Sequence, residues 1–273
     1  MIGQMLVIGF WGEKPGTKSE KALKEHLRAG QAGGVLFLRH NAKTGKGVRD
    51  LAKGFLSVDA PAQILTAIDQ EGGCVQRLGE DLGFTDIPTA RQLSAMDIGA
   101  VISLLQGAAK EMAEAGFNMN LAPSVDVHKA GNPVIGKYGR AFGQNADEIE
   151  PLARTFIRAF ESAGVRTVLK HFPGHGTTRG DSHDGFVDVS DSWTEAEMEP
   201  FKRLSSDASS IMTAQLFHKD YSDDGAPMSL SQKAVTGLLE NKMGYGGAIM
   251  TDDLDMAAVH KRYSREEAIT RAI

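Results

Sequence analysis

The chain has 273 residues, 30 basic against 35 acidic side chains, a formal charge of −5 and 41% hydrophobic residues. These are the proportions of one large soluble domain or two small ones, and they exclude collagen-like, low-complexity and wholly disordered chains. The slight acidic excess argues against a nucleic-acid-binding surface, which carries a strong basic surplus. The 31 glycines exceed the usual share of about 7% and follow no period, so they indicate many tight turns. A single cysteine, Cys74, excludes an intramolecular disulfide. No apolar run reaches the ~20 residues of a membrane span. The apolar start at residues 1–10 lacks the positive leader and cleavage site of a signal peptide, so a cytoplasmic location is expected.

In chain order, a strand is expected at 6–10, then a helix at 19–28 carrying Ala22, Leu23 and Leu27, and strands at 34–38 and 63–69. A helix at 101–115 precedes a strand at 119–127. A helix at 146–163, with Ile149, Leu152, Phe156, Ile157 and Phe160 along one face, precedes a strand at 166–172. Helix 194–204, strand 210–217, helix 231–242 and strand 247–252 follow, and a helical stretch at 266–273 ends the series. The seven strand segments are rich in Val, Ile, Leu or Met without strict alternation, the pattern of strands buried on both faces. Strands alternating with helices predict parallel βα units.

A doubly wound sheet is one solution. Several strands, however, run straight into polar residues: Asp69-Gln70-Glu71, Lys170-His171 and Thr251-Asp252-Asp253. Reactive groups at the C-terminal ends of several strands are the habit of a TIM-type (β/α)8 barrel. Seven strands fall one short of closing it. The expectation is therefore an α/β fold, one barrel domain over 1–273, C-terminally truncated and lacking one of eight strands. An open barrel would expose backbone edges on its first and seventh strands.

The densest polar cluster runs from Lys170 through His171, Pro173, His175, Thr177 and Asp181 to His183 and Asp184, too Gly-rich for a helix. Such a loop suits a mobile active-site segment. Asp181 and His183, two apart, can share a hydrogen bond that sets the imidazole tautomer and raises its basicity, as a general acid/base needs. The alternative is a surface loop that caps neighbouring helices. A metal reading would use His171, His175, Asp181 and His183, but their spacing matches no helical ligand pair and no cysteine assists. The second candidate is Asp252-Asp253-Leu254-Asp255. Asp252, at the strand end, points best toward a pocket, whereas Asp253 and Asp255 suit a helix N-terminus. The third is Asp69 with Arg77, suited to ligand hydroxyls or to building a turn. Arg140 and Lys170 add positive charge that keeps nearby carboxyls ionised. No G-x-G-x-x-G, P-loop, G-x-S-x-G or H-E-x-x-H sequence occurs.

Taken together these motifs resemble the bacterial β-N-acetylglucosaminidases of glycoside hydrolase family 3. The resemblance begins at Ile2-Gly3-Gln4-Met5 and runs through Gly33-Gly34-Val35, Asp69-Gln70-Glu71-Gly72-Gly73 and Asn120-Leu121-Ala122-Pro123 with Asp126-Val127. It continues through Asn132-Pro133, Arg140-Ala141-Phe142-Gly143, the Lys170 to His183 loop and Thr251-Asp252-Asp253-Leu254. It implies a (β/α)8 barrel and a retaining, two-step hydrolysis without a metal or other cofactor. By position, Asp252 resembles the nucleophile, His183 the acid/base and Asp181 its partner. Asp69, Arg77, Arg140, Lys170 and His171 resemble the residues that hold the N-acetylglucosamine ring. The implied partner is a small carbohydrate, a cell-wall or chitin-type fragment, with no nucleic acid and no membrane span.

Three departures stand out: Cys74 where many members have Arg, Thr177 where Asp is common, and Gln215 where many have His. The first is expected to have little effect, the second to alter how the loop closes, and the third to change one pocket hydrogen bond. Alternative readings are a β-N-acetylglucosaminide phosphorylase with the same Asp-His pair, an inactive sugar-binding barrel fragment and a metal-dependent hydrolase.

Overall fold

The computed structural model describes residues 2–273. Seven parallel strands form one sheet in the order β1-β2-β3-β6-β7-β8-β9, and β4 and β5 form a separate hairpin. The chain divides into two compact units, the first made of the chain up to Pro88, Met96–Ala122 and Arg158–Thr167. The second comprises Thr89–Ala95, Pro123–Ile157 and Val168–Ile273.

In the first unit lie β1 (Val7–Gly9), β2 (Gly34–Phe37), β3 (Leu65–Ile68), β4 (Gln70–Gly72), β5 (Val75–Gln76) and β6 (Met119–Asn120). Gly9 is registered with Leu36, Leu36 with Ala67 and Ala67 with Met119. Helix Lys18–Arg28 starts where the Thr17 hydroxyl accepts the Glu20 N–H, and it buries Leu23 and Leu27. Helix Ile98–Ala115 is capped by Asp97 and ends at Gly116, whose φ of 99° suits only the left-handed region. Helix Gly45–Leu56 escapes the sequence reading. Gly45, Gly47 and Gly54 depress its helix propensity, yet Val48, Leu51, Ala52 and Phe55 are buried at three- and four-residue steps. Its Phe55 meets Phe10 edge-on at 4.9 Å, and Phe37 meets Phe10 and Phe117 at 5.1 and 4.9 Å. These rings form the centre of the core in this unit.

The strand expected at 119–127 is short. Pro123 has no N–H to give a ladder, and the chain leaves the sheet after Asn120, returning only at the Ser124–Lys170 bridge. β7 (Arg166–Phe172) begins in the first unit, paired with β6, and continues in the second. There it pairs with β8 (Ser210–Thr213), which pairs with β9 (Ala248–Thr251). All seven expected strands are thus present, each within its predicted segment; an eighth parallel strand is not among the described residues.

Helix Ala146–Ser162 starts at Asn145, whose side chain accepts the Glu148 N–H at 3.1 Å. The expected helix at 194–204 is a 3-10 turn, Glu195–Met198, running into helix Glu199–Leu204. The one expected at 231–242 is a π-helical segment, Lys233–Lys242. Helix Arg265–Ala272 carries a Ser264–Glu267 capping box. No helix among the described residues is long and apolar enough to cross a membrane.

Candidate functional site

In the first unit, Asp69 follows β3, and its Oδ2 accepts a hydrogen bond from Arg77 Nη2 at 3.2 Å. The hairpin that carries Arg77 is held by two buried amides. Gln70 Oε1 accepts the backbone N–H groups of Arg77 and Leu78 at 3.0 Å each, and its Nε2 donates to the Leu78 carbonyl at 2.6 Å. Asn120, fully buried, exchanges both its amide bonds with the Gln70 backbone. Arg77 Nε is buried without a hydrogen-bond partner among the described residues. Cys74 is exposed at the hairpin tip, so its substitution leaves the Asp69–Arg77 pair in place.

The second unit is organised around Asp126, which is completely buried. Its carboxylate accepts the backbone N–H groups of His171 and His175, the Ser124 hydroxyl at 3.0 Å and His171 Nδ1 at 2.6 Å. Burial opposes its charge, but the His171 ring and these donors hold its carboxyl down at about 2. His171 Nε2 lies 3.3 Å from Arg140 Nη2. A guanidinium has only donors, so Nε2 accepts and Nδ1–H faces Asp126. Asp126 thereby sets which nitrogen of His171 carries the proton.

Lys170 is buried on β7, and its backbone is paired with Pro123 and Val125. The Lys170–His171 and Phe172–Pro173 peptide bonds are cis. His175 is buried between the Thr178 hydroxyl, 3.0 Å from Nδ1, and the Ser182 hydroxyl, 3.4 Å from Nε2. Burial pushes it down to about 4. These contacts occupy the proposed metal ligands: His171 is engaged by Asp126 and Arg140, and His175 by hydroxyls. Among the described residues no group of three His, Cys, Asp or Glu side chains is arranged to hold a metal ion.

Two further buried residues fix the loop after β7. The Asn132 amide nitrogen lies within 2.9–3.2 Å of the His175, Gly176 and Thr178 carbonyls and the Thr178 hydroxyl. Its oxygen accepts the Val134, Ile135 and Gly136 N–H groups, so one side chain ties two loops together. Glu197 accepts the Gly176 and Thr177 N–H groups at 2.9 and 3.2 Å and the Thr177 hydroxyl. Burial pushes its carboxyl up to about 7, with the Asp126 charge adding to the rise. The neutral hydroxyl of Thr177 gives this carboxyl a donor that a second carboxylate could not.

Beyond that anchor, His183 Nδ1 lies 2.7 Å from Asp181 Oδ1, which also accepts the His183 N–H at 2.9 Å. Burial works against the Asp181 charge, but the His183 backbone and ring hold its carboxyl below the usual carboxylate range. Nδ1–H therefore faces Asp181, and Nε2 is the nitrogen left to exchange a proton on a ring that is 66% exposed. The loop is moored where Ala258 N–H donates to Ser182 O and Lys261 Nζ to Asp184 O.

Asp252 directly follows β9, with its N–H on the Thr213 carbonyl. Its Oδ1 accepts the Asp253 N–H at 2.8 Å. Asp253 Oδ1 accepts the Asp255 N–H, and Asp255 makes a two-pronged pair with Arg265. Only Asp252 of the three is therefore placed at a strand terminus, as the sequence suggests. Gln215, fully buried, donates to the Asp252 carbonyl at 2.9 Å and accepts from the Ser229 hydroxyl. At this position the structure places a bond to the backbone carrying Asp252.

The structure brings together Asp69 with Arg77, Arg140 with His171, and Asp181 with His183. Asp126, Asn132 and Glu197 are site residues that sequence reasoning missed. Asp126 and Asn132 lie in motifs already noted, but Glu197 has no local signal, since its partners lie 20 and 21 residues earlier.

The family model described as "Glycosyl hydrolase family 3 N terminal domain" matches residues 1–273. A beta-hexosaminidase of Stenotrophomonas maltophilia (strain K279a) is 29% identical over 267 residues, covering 94% of this chain and 76% of the relative. Another, from Pseudomonas aeruginosa (strain LESB58), is 30% identical over 244 residues, covering 87% of this chain and 70% of its own. The solved glycoside hydrolase family 3 beta-N-acetylglucosaminidase from Paenibacillus sp. str. FPU-7 superposes with a TM-score of 0.89 at 31% identity over 99% of this chain. This chain spans 52% of that protein, about half its length.

Proposed function

The chain belongs to glycosyl hydrolase family 3, as a glycoside hydrolase N-terminal domain, and from that premise we propose that it carries the catalytic machinery of a retaining exo-β-N-acetylglucosaminidase. Its substrates are cell-wall or chitin-type oligosaccharides, from which it releases the non-reducing terminal sugar. The observation that carries this reading is the Asp181–His183 pair, held at 2.7 Å with Nε2 facing outward. The loop bearing it follows β7, and Asp252 follows β9. β7, β8 and β9 are adjacent and parallel, with Phe172 opposite Thr213 and Thr213 opposite Thr251, so both groups leave the same edge of the sheet. Burial pushes the carboxyl of Asp253, the neighbour of Asp252, above the usual carboxylate range.

In the first step an Asp252 oxygen attacks the anomeric carbon and forms a glycosyl ester. The glycosidic C–O bond breaks with its electron pair going to the leaving oxygen, which takes the proton of His183 Nε2. In the second step neutral Nε2 takes a proton from water, the water oxygen attacks the anomeric carbon, and the ester bond breaks to restore the Asp252 carboxylate. An imidazole here replaces the second carboxyl of the usual retaining pair. Asp69, Arg77, Arg140, Lys170 and His171 are assigned to the N-acetylglucosamine ring. The Asp69–Arg77 pair, held where β3 ends, supports that role, as does the Arg140–His171 pair. The family likeness is also the basis for reading the seven parallel strands as those of a (β/α)8 barrel, and a cytoplasmic setting is part of the same reading.

The test is hydrolysis of aryl β-N-acetylglucosaminides. Asp252→Ala should lose activity on every leaving group by about 10³-fold or more, whereas His183→Ala should fail at the first step on poor leaving groups, and on good ones should release the leaving group in a fast first turnover and then slow at hydrolysis of the ester. Full activity of Asp252→Ala would remove the nucleophile assignment. A neutral imidazole base does not repel an incoming anion, so phosphate is included as an acceptor. Sugar 1-phosphate as the main product would make the chain a phosphorylase.

A further inference from the structure

Trp11 is 74% exposed, although its neighbour Phe10 is buried against Phe37 and Phe55. A ring of this size left in water forgoes a large burial gain, and this one is braced where it stands. Its indole stacks on the His40 imidazole, with centroids 4.3 Å apart and planes 25° from parallel. Asn41, fully buried, donates its amide nitrogen to the Phe10 carbonyl at 3.0 Å and the Gly12 carbonyl at 2.8 Å, one on each side of Trp11. The Asn41 oxygen accepts the Leu38 N–H, and His40 Nε2 donates to the Phe10 carbonyl at 2.8 Å. The Trp11 backbone N–H donates to the Ser19 hydroxyl, and its backbone carbonyl accepts from the Thr17 hydroxyl. Gly12 turns the chain at φ +142°, where a Cβ would stand 2.6 Å from the Thr17 hydroxyl oxygen. Both flanks of the indole and the ring behind it are thus fixed in advance of any partner.

The position of this platform is informative. β1, β2 and β3 are adjacent and parallel, with Gly9 opposite Leu36 and Leu36 opposite Ala67. Trp11, His40 and Asp69 follow those three strands and leave the same edge. At about 4.8 Å per strand, β1 lies roughly 10 Å from β3, the reach of one to two sugar rings. The residues that follow Trp11, from Glu13 to Gly16, are exposed and carry two charged and no large apolar side chains. A protein partner would need a contiguous apolar patch of several hundred Å². A rigid aromatic with no large apolar side chain after it in this turn instead fits a pyranose ring, whose faces present C–H bonds to the electron-rich face of the indole.

We propose that Trp11, backed by His40, is the platform for the second sugar ring of the oligosaccharide, on the leaving-group side of the scissile bond. This inference rests on the functional reading above, in which Asp69 contacts the first ring. It makes Trp11 a specificity-determining residue for a sugar leaving group over a small aglycone.

The experiment is calorimetric titration with N-acetylglucosamine and with thio-linked N,N′-diacetylchitobiose, which resists hydrolysis. Trp11→Ala should weaken disaccharide binding about tenfold and monosaccharide binding less than twofold, and Trp11→Phe should keep most of the disaccharide affinity. In a ¹⁵N-labelled chain the Trp11 indole N–H resonance should move with the disaccharide and stay put with the monosaccharide. Equal disaccharide affinity of the parent and Trp11→Ala overturns the proposal while leaving the functional reading intact. A parent that binds neither sugar removes both.

Discussion

Asp126 and Glu197 are both buried carboxyls, and their surroundings send them in opposite directions. Asp126 faces the His171 ring and two backbone N–H groups and stays ionised, near 2. Its contribution to stability is present above its ordinary 3.8 and is lost as pH falls through about 2. Glu197 has only neutral donors, and burial lifts it from 4.5 to about 7. Between those values the folded chain holds a proton that the unfolded chain has released, so this group makes stability fall as pH rises. His175, moved from 6.5 to about 4, does the reverse, because there the unfolded chain holds the extra proton. The two slopes oppose each other between pH 4.5 and 6.5. Glu197→Gln removes one of them. Relative to the parent, the variant should gain up to ~3 kcal/mol of stability as pH rises from about 4.5 to 7. Urea unfolding at both ends of that range measures it, and a parent–variant difference independent of pH would contradict the assignment.

Among the elements, helix Gly45–Leu56 and the loop after β7 show why some structure was hidden in the sequence. The helix is held by the faces it buries, not by propensity, and its glycines differ in purpose. A Cβ on Gly47 would meet the Glu13 carbonyl oxygen at 2.5 Å, whereas one on Gly54 would meet only the flexible end of Lys24 at 3.1 Å. Gly54→Ala should therefore raise stability by about 0.5–1 kcal/mol, and Gly47→Ala should lower it by 1 kcal/mol or more. Thermal unfolding of the two variants beside the parent decides this; equal shifts would mean that the Glu13 contact does not constrain the helix. In the loop, Asp181 and His183 were legible because they pair across two residues. Asp126 meets His171 and His175 across 45 and 49 residues, a pairing that only the fold brings about. The strands were legible because burial on both faces makes them continuous apolar runs, and they were overextended where Pro123 and the residues after Thr213 leave the ladder.

For the whole molecule, sequence and structure agree on a parallel α/β fold in which polar groups stand at strand ends: Asp69 after β3 in the first unit, and His171 and the 173–185 loop at β7 and Asp252 after β9 in the second. The proposed chemistry rests on the last two, and its central claim is a covalent ester on Asp252. His183→Ala loses the base for the second step, so an aryl β-N-acetylglucosaminide with a good leaving group should let the ester accumulate. Quenching at steady state, digestion and mass spectrometry should find one N-acetylglucosaminyl group on the peptide containing Asp252. An unmodified Asp252 in turning-over enzyme, or the sugar on a different residue, would contradict the account.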